Sequence, residues 1–317
     1  MTDQTYSELV MEIYNYQKQH CKVYGEYLYN LGNRTVNRIS DIPYLPISAF
    51  KHHEVVSGKG QTEITYSSSG TTSTGKSLHH VRNRQSYLDQ TVQIFESQYG
   101  PVKDYVFLAL LPNYLEREGS SLIDMMQYFI TLSEHAESDF YLYDHDKLYR
   151  SLQQCQAANK STILFGVSFA LMDFAENYQL NFPELIVMET GGMKGQRKEL
   201  PKATMHKILQ DSFGVGTIHS EYGMTELSSQ MYSNGLGIFD QNIYLKASVA
   251  DITDPLSLAN NGKQGIVCLT DLANIDSCSF IMTEDTGYLN TMNQLVLTGR
   301  LDMSEARGCN LLLEELS

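Results

Sequence analysis

The run Tyr66-Ser-Ser-Ser-Gly70-Thr-Thr-Ser-Thr-Gly75-Lys76-Ser77 packs hydroxyls, two glycines and a lysine into twelve residues. Glycines let backbone amides turn toward an anion, hydroxyls add donors, and lysine supplies a point positive charge. This is the chemistry of a loop that holds phosphates. A lone lysine inside such a run argues against a plain Ser/Thr/Gly turn with no ligand.

Gly70 to Ser77 also fits G-x-x-x-x-G-K-[ST], the P-loop of ATPases and GTPases. A P-loop follows a central parallel strand, which is buried on both faces and reads as a continuous aliphatic run. Gln61 to Tyr66 contains one aliphatic residue, Ile64. The segment reads instead as a half-exposed strand entering a surface loop, so the P-loop is the weaker reading. It would release ADP and need no carboxylic acid.

The elements that must position the loop follow from the rest of the chain. Its 317 residues, 42% apolar and 19% charged, suit a soluble globular enzyme with one large domain or two modest ones. A net charge of -14 argues against non-specific nucleic-acid binding. No apolar run is long enough to span a membrane, and the N-terminal residues lack a secretory pattern. Five scattered cysteines without a C-x-x-C pair point to free thiols and a cytoplasmic protein. The adjacent pairs His52-His53 and His79-His80 read as surface residues rather than metal ligands.

Helical spacing over residues 5–30 and 86–98 predicts helices. An alternation follows: strand 105–111, helix 120–132, strand 140–143, helix 146–157, strand 162–165, helix 168–177, strand 184–188, helix 202–211 and strand 215–219. Such alternation implies βαβ units and a mainly parallel sheet, whose ligands gather beyond the carboxyl ends of its strands. From about residue 236 short strands are predicted at 237–244, 265–270, 279–283 and 294–298. The expected organisation is therefore α/β: a large domain over 1–298 with a β-rich subregion at about 236–298, then a short tail, 299–317.

Four further motifs lie downstream. Tyr222-Gly-Met-Thr-Glu226, Met282-Thr-Glu-Asp285-Thr-Gly287, Gly299-Arg300-Leu-Asp302 and the pair Gly191-Gly192 follow the phosphate loop in order. Together they resemble the adenylate-forming superfamily. Leu45-Pro-Ile-Ser-Ala-Phe-Lys51, Leu111 to Leu122, Met188 to Gly195 and Arg307-Gly-Cys-Asn310 narrow the resemblance to the acyl-protein synthetases. That family includes the fatty-acid ligase of bacterial luminescence, with phenylacetate–CoA ligases as more distant cousins. The resemblance runs from about residue 41 to the last residue.

The resemblance implies ATP-dependent activation of a carboxylic acid, a fatty acid in this family, as an acyl-adenylate, then transfer to a thiol. It implies that Ser68, Ser69, Gly70, Thr71, Thr72 and Lys76 hold the β- and γ-phosphates, and that Thr225 contacts the α-phosphate. Glu226 would ligate Mg²⁺. Tyr222 and Gly223, with Gly191, Gly192 and Met193, would border the adenine. Asp285 would accept the ribose hydroxyls, assisted by Arg300. Cys309 would carry the acyl group toward a partner, an acyl-CoA reductase or acyl-carrier protein. The mobile C-terminal domain of typical superfamily members, with its adenylation lysine, is expected to be absent, so Lys76, Lys194 or a partner would have to compensate. A non-catalytic nucleotide-binding scaffold stands as the alternative, and CoA or a carrier phosphopantetheine as an alternative acceptor.

Overall fold

The computed structural model describes residues 2–32, 34–68, 75–112, 119–192 and 200–301. The chain forms two compact units. One, rich in β-structure, takes the chain up to Gln90, the short stretch Met224–Ser229 and the chain from Asp240 on; the other, α/β, takes Thr91–Gly223 and Gln230–Phe239.

The β-rich unit begins with the helices Asp3–His20 and Lys22–Asn30. Thr2 caps the first, its hydroxyl accepting from the Thr5 amide, and the helix buries Tyr6, Val10, Ile13, Tyr14 and Gln17 along one stripe. Tyr14, Tyr24 and Tyr44 pack around the Phe280 ring. The sheet runs Leu245–Ala250, Gly265–Asp271, Phe280–Leu289, Leu295–Arg300, all antiparallel neighbours. Leu45–Pro46 adds in parallel beside Ile281 and Met282. Ile64–Ser67 and Leu78–Val81 form a separate two-stranded antiparallel hairpin.

Gln17 staples the first helix to the sheet. Fully buried, it donates to the carbonyls of Asn274 and Ile275 and accepts from the Ser279 amide. A buried polar residue is tolerated here because the turn 274–279 has backbone groups that no strand satisfies.

In the α/β unit the strands lie in the order Asp139–Phe140, Val106–Leu110, Thr162–Val167, Ile186–Thr190, His219–Tyr222, all parallel, with Met231–Ser233 antiparallel at the end. Val106–Leu110 and Thr162–Val167 are buried throughout, as strands covered on both faces must be. Phe95 packs on Phe107, Phe129 and Tyr232. The helices Ser121–Ser133, His145–Ala157, Ser168–Asn177 and Lys202–Phe213 fill the connections.

Most predicted elements stand where expected, but the strand predicted at 237–244 is confined to Ile238–Phe239, and three other differences are instructive. The strand predicted at 215–219 lies at His219–Tyr222. Val215 and Ile218 are buried without joining the ladder, whose register begins at Met188↔His219. The strand predicted at 140–143 stops at Phe140, because Leu142 takes φ +44° and Asp144 already caps the next helix. Leu245–Ala250 was not predicted, since Lys246, Ala247 and Ser248 give its alternation little apolar contrast.

Replacing Gln17 by Leu is expected to lower the unfolding free energy by about 2–4 kcal/mol, because several buried backbone groups lose their partner. Urea unfolding of both proteins measures the difference.

Candidate functional site

In the β-rich unit the phosphate-loop candidate joins the two strands of the hairpin. Ser68 and Ser77 close its base: the Ser68 amide donates to the Ser77 carbonyl at 3.0 Å, and the Ser77 amide to the Ser68 hydroxyl at 3.0 Å. Gly75 takes φ +92° and Lys76 is exposed. Ser69, Gly70, Thr71 and Thr72 lie outside the described residues. A strand, Leu78–Val81, follows Ser77 directly where a P-loop needs a helix, and among the described residues the strand before the loop pairs only within this hairpin. The P-loop reading is therefore overturned.

Asp285 lies in the strand Phe280–Leu289, and its ladder partner is Arg300. The Arg300 guanidinium donates to the Asp285 carboxylate at 3.0 Å, with the Asp285 side chain 13% exposed and that of Arg300 73%. The two motifs thus meet by register. Gly287 sits at a shift in that register, where a Cβ would press on the Val296 carbonyl at 2.6 Å. Asp302 and Cys309 lie outside the described residues.

Glu226 is buried, and burial pushes its carboxyl above the ordinary range, with nearby Ser77 and Lys51 opposing and Glu284 reinforcing. Thr225 beside it is half-buried. The stretch Met224–Ser229 is neither helix nor strand and is held from beneath. Asp271, fully buried at the end of its strand, accepts from the amides of Ser228 (2.8 Å), Ser229 (3.1 Å) and Ala273 (3.1 Å) and from the Ser229 hydroxyl (2.7 Å). Asn274 donates to the Glu226 carbonyl at 2.8 Å and the Cys278 carbonyl at 3.0 Å.

Because both Asn274 amide hydrogens are committed, its oxygen must accept from His79 Nε2 at 2.9 Å, which fixes the His79 tautomer. His79, read from sequence as a surface residue, is 1% exposed. The hairpin strand turns it inward beside the edge of Phe50. Burial drives its pKa down to about 4, so the ring stays neutral at working pH. Asp271, Asn274 and His79 carry no motif. The available signal was a strand-like run, Gly265 to Thr270, ending in polar residues that a surface turn would not require.

In the α/β unit the candidates cluster at the carboxyl ends of the parallel strands. Gly191 takes φ +63° directly after Ile186–Thr190, and Gly191 and Gly192 are exposed. The Ser168 hydroxyl lies 3.0 Å from the Gly191 carbonyl and 2.9 Å from the Glu189 carboxylate. Buried Glu189 also accepts from Ser220 at 2.6 Å and pairs with Lys202 at 2.8 Å. Against the cost of burial, His206 and Lys202 hold its carboxyl down at about 2. Tyr222 is 9% exposed and packs on Phe239 with ring centroids 5.6 Å apart. The neighbouring Glu221 carboxylate bonds the Thr190 hydroxyl, and a Cβ on Gly223 would collide with it. Met193 and Lys194 lie outside the described residues.

No family model and no curated protein sequence matches the chain. Solved structures do. A 2-hydroxyisobutyryl-CoA ligase in the postadenylation state in complex with 2-HIB-AMP aligns at TM-score 0.67 and 12% identity, over 95% of this chain and 68% of that one. The chain has the fold of acid–CoA ligases. ATP-bound MatB from Rhodopseudomonas palustris aligns at TM-score 0.55 and 15% identity, over 76% of this chain and 49% of that one. The ATP-bound RpMatB-BxBclM chimera B1 gives 0.57 and 17%, over 76% and 49%. The chain spans about half the length of the MatB chains. The α/β fold with a mainly parallel sheet is the one expected from the sequence. No described helix is long and apolar enough to cross a membrane.

Burial lifts Asp271 to about 6 in the folded protein, against roughly 4 for an aspartate in an unfolded chain. Between these values the folded state keeps a proton that the unfolded chain has released. Its contribution to stability is thus full below about pH 4 and is lost as pH rises through about 6. Asp271→Asn is expected to remove this slope, a difference on the order of 1–3 kcal/mol between pH 4.5 and 7 in urea titrations.

Proposed function

We propose that this chain activates a carboxylic acid with ATP and passes the acyl group to a thiol, as an acyl-protein synthetase does. One observation carries the reading. Ser68, Ser77, Thr225, Glu226, Asp285 and Arg300, scattered along the sequence, are all built into the β-rich unit. There they are tied to a common scaffold by the hairpin base, by Asn274 and by one strand register. The overlap in fold with acid–CoA ligases supports the same reading.

In the first half-reaction a carboxylate oxygen attacks the α-phosphorus of ATP, the bond from that phosphorus to the β-phosphate oxygen breaks, and pyrophosphate leaves. Two anions meet, so catalysis consists of positioning and charge neutralisation. The phosphate loop, with Ser68, Ser69, Gly70, Thr71, Thr72 and Lys76, would hold the phosphates, and Thr225 would contact the reacting one. Asp285, aimed by Arg300, would accept the ribose hydroxyls. In the α/β unit, Tyr222, Gly223, Gly191, Gly192 and Met193 would border the adenine.

No group of three candidate metal ligands exists among the described residues. Mg²⁺ takes one or two carboxylates and completes its shell with phosphate oxygens and water. Glu226 would be its protein ligand, and the raised affinity of its carboxyl for a proton is also a demand for a cation. Mg²⁺ would supply charge neutralisation at the phosphates.

In the second half-reaction a thiolate attacks the acyl carbon, the carbon–oxygen bond to AMP breaks, and the thiol proton leaves to solvent. Cys309 would be the acceptor, passing a fatty acyl group to a reductase or carrier partner. Of the other cysteines, Cys21, Cys155, Cys268 and Cys278 are all buried, and burial raises the thiols of Cys21, Cys155 and Cys278, which suits packing rather than acyl transfer.

The test is acid-dependent ATP–pyrophosphate exchange with Mg²⁺ and a panel of straight-chain and aromatic acids. Exchange with particular acids is expected; its absence with every acid would favour a nucleotide-binding scaffold instead. Asp285→Ala is expected to reduce exchange by ~100-fold or more. Cys309→Ala should keep exchange and lose only the covalent acyl-protein seen with radiolabelled acid.

A further inference from the structure

Adenylation needs a cation to neutralise the charge that builds on the phosphoryl oxygens, a task distinct from holding the β- and γ-phosphates. We infer that Lys51 performs it. The inference rests on the adenylation reading and adds to it the cation of the chemical step.

Lys51 stands on a fixed base. Leu45 and Pro46 pair with Ile281 and Met282, and the Ile47 amide donates to the Met282 carbonyl at 2.9 Å. The short helix Ala49–His52 follows, locked by Phe50, which is 1% exposed. The Lys51 carbonyl lies 3.7 Å from the position a Cβ would take on Gly75, so this backbone borders the end of the phosphate loop. The register places Met282 two residues before Glu284 and three before Asp285.

From that base the ammonium reaches the Glu284 carboxylate. It lies 3.9 Å from Glu284, with the Lys51 side chain 30% exposed and that of Glu284 23%. A pair at this distance and exposure does little for stability and is readily exchanged for a stronger anion.

Two other described cations of the neighbourhood are committed, and exposed Lys76 is assigned to the β- and γ-phosphates. Arg82 donates to Asp276 at 2.7 Å and to the Ser57 carbonyl, and Arg300 is engaged by Asp285. Lys51 combines a rigid base, a flexible stem and a weak partner beside the residues proposed to face the phosphates.

Its role follows from the bonds that change. As the carboxylate oxygen bonds to the α-phosphorus and the pyrophosphate bond breaks, negative charge accumulates on the phosphoryl oxygens between them. The ammonium leaves Glu284 for those oxygens and returns when pyrophosphate has left. Glu284 keeps the cation close while the site is empty of nucleotide.

The experiment compares wild type, Lys51→Met, Lys51→Arg and Glu284→Gln in pyrophosphate exchange, in Mg·ATP binding by calorimetry and in thermal unfolding. Lys51→Met is expected to lower the maximal exchange rate ~100-fold or more while the Mg·ATP dissociation constant moves less than about threefold. Its unfolding midpoint should stay near that of wild type, and Lys51→Arg should recover part of the rate. Parallel loss of rate and nucleotide affinity would make Lys51 a ground-state phosphate holder and overturn the inference. So would unchanged exchange in Lys51→Met, or a Glu284→Gln variant as slow as Lys51→Met, which would reduce the pair to a structural contact. Wild-type protein that exchanges with no acid would instead overturn the adenylation reading, and the role of Lys51 in that step with it.

Discussion

One buried carboxylate underlies the β-rich unit. Asp271 accepts four hydrogen bonds, three of them from backbone amides, at the point where a strand ends and Met224–Ser229 crosses it. A stretch with no helix or strand to satisfy its backbone would fray in water. Here the anion gathers its amides, so the loop is as determined as a strand. Asn274, three residues on, ties the Glu226 carbonyl to the buried ring of His79 and so to the hairpin that bears the phosphate loop. The neutral His79 and the buried Asp271 carboxyl do complementary work: one transmits direction, the other gathers the loop's amides.

The α/β unit uses the same device in another form. Its parallel strands end in Glu189 and Glu221, both buried, and each is tied to neighbouring strand ends through hydroxyls of Ser168, Ser220 and Thr190. The charge of Glu189 is offset by Lys202, which lies 2.8 Å away. Buried ion pairs of this kind add little net stability, because desolvation cancels most of the attraction. What they fix is geometry. Gly191, bonded through its carbonyl to Ser168, is held in a left-handed turn at the mouth of the sheet.

How much was legible in the sequence depended on what each residue had to satisfy. The parallel strands announced themselves, because burial on both faces demands aliphatic runs such as Val106–Leu110. The motifs carrying Glu226, Asp285 and Arg300 were legible as short patterns, and the meeting of Asp285 with Arg300 could follow from any antiparallel pairing of their segments. The underpinnings were not. Asp271, Asn274 and His79 act through partners up to 195 positions away, and nothing in a local window distinguishes them from turn residues. Lys51 was visible only as the last letter of a family pattern. Its place beside Glu284 comes from two residues of parallel ladder, too short to be seen in any periodicity. The strand at Leu245–Ala250 was hidden for a simpler reason, since small side chains pack well without looking hydrophobic.

The order in which the chain visits its two units also has a consequence for how the protein is made. Leu45 and Pro46 pair with Ile281 and Met282, and Gln17 bonds to residues 274–279. The first ninety residues therefore emerge from the ribosome long before their sheet exists. At roughly 5–20 residues per second they wait on the order of ten seconds or more, with tyrosine-rich helices lacking the surface they will cover. The α/β unit, most of it one continuous stretch with parallel neighbours close in sequence, can collapse during that interval. Nascent chains would then pass through a state with one finished half and one sticky, unfinished half, which makes chaperone demand during translation a property of this topology.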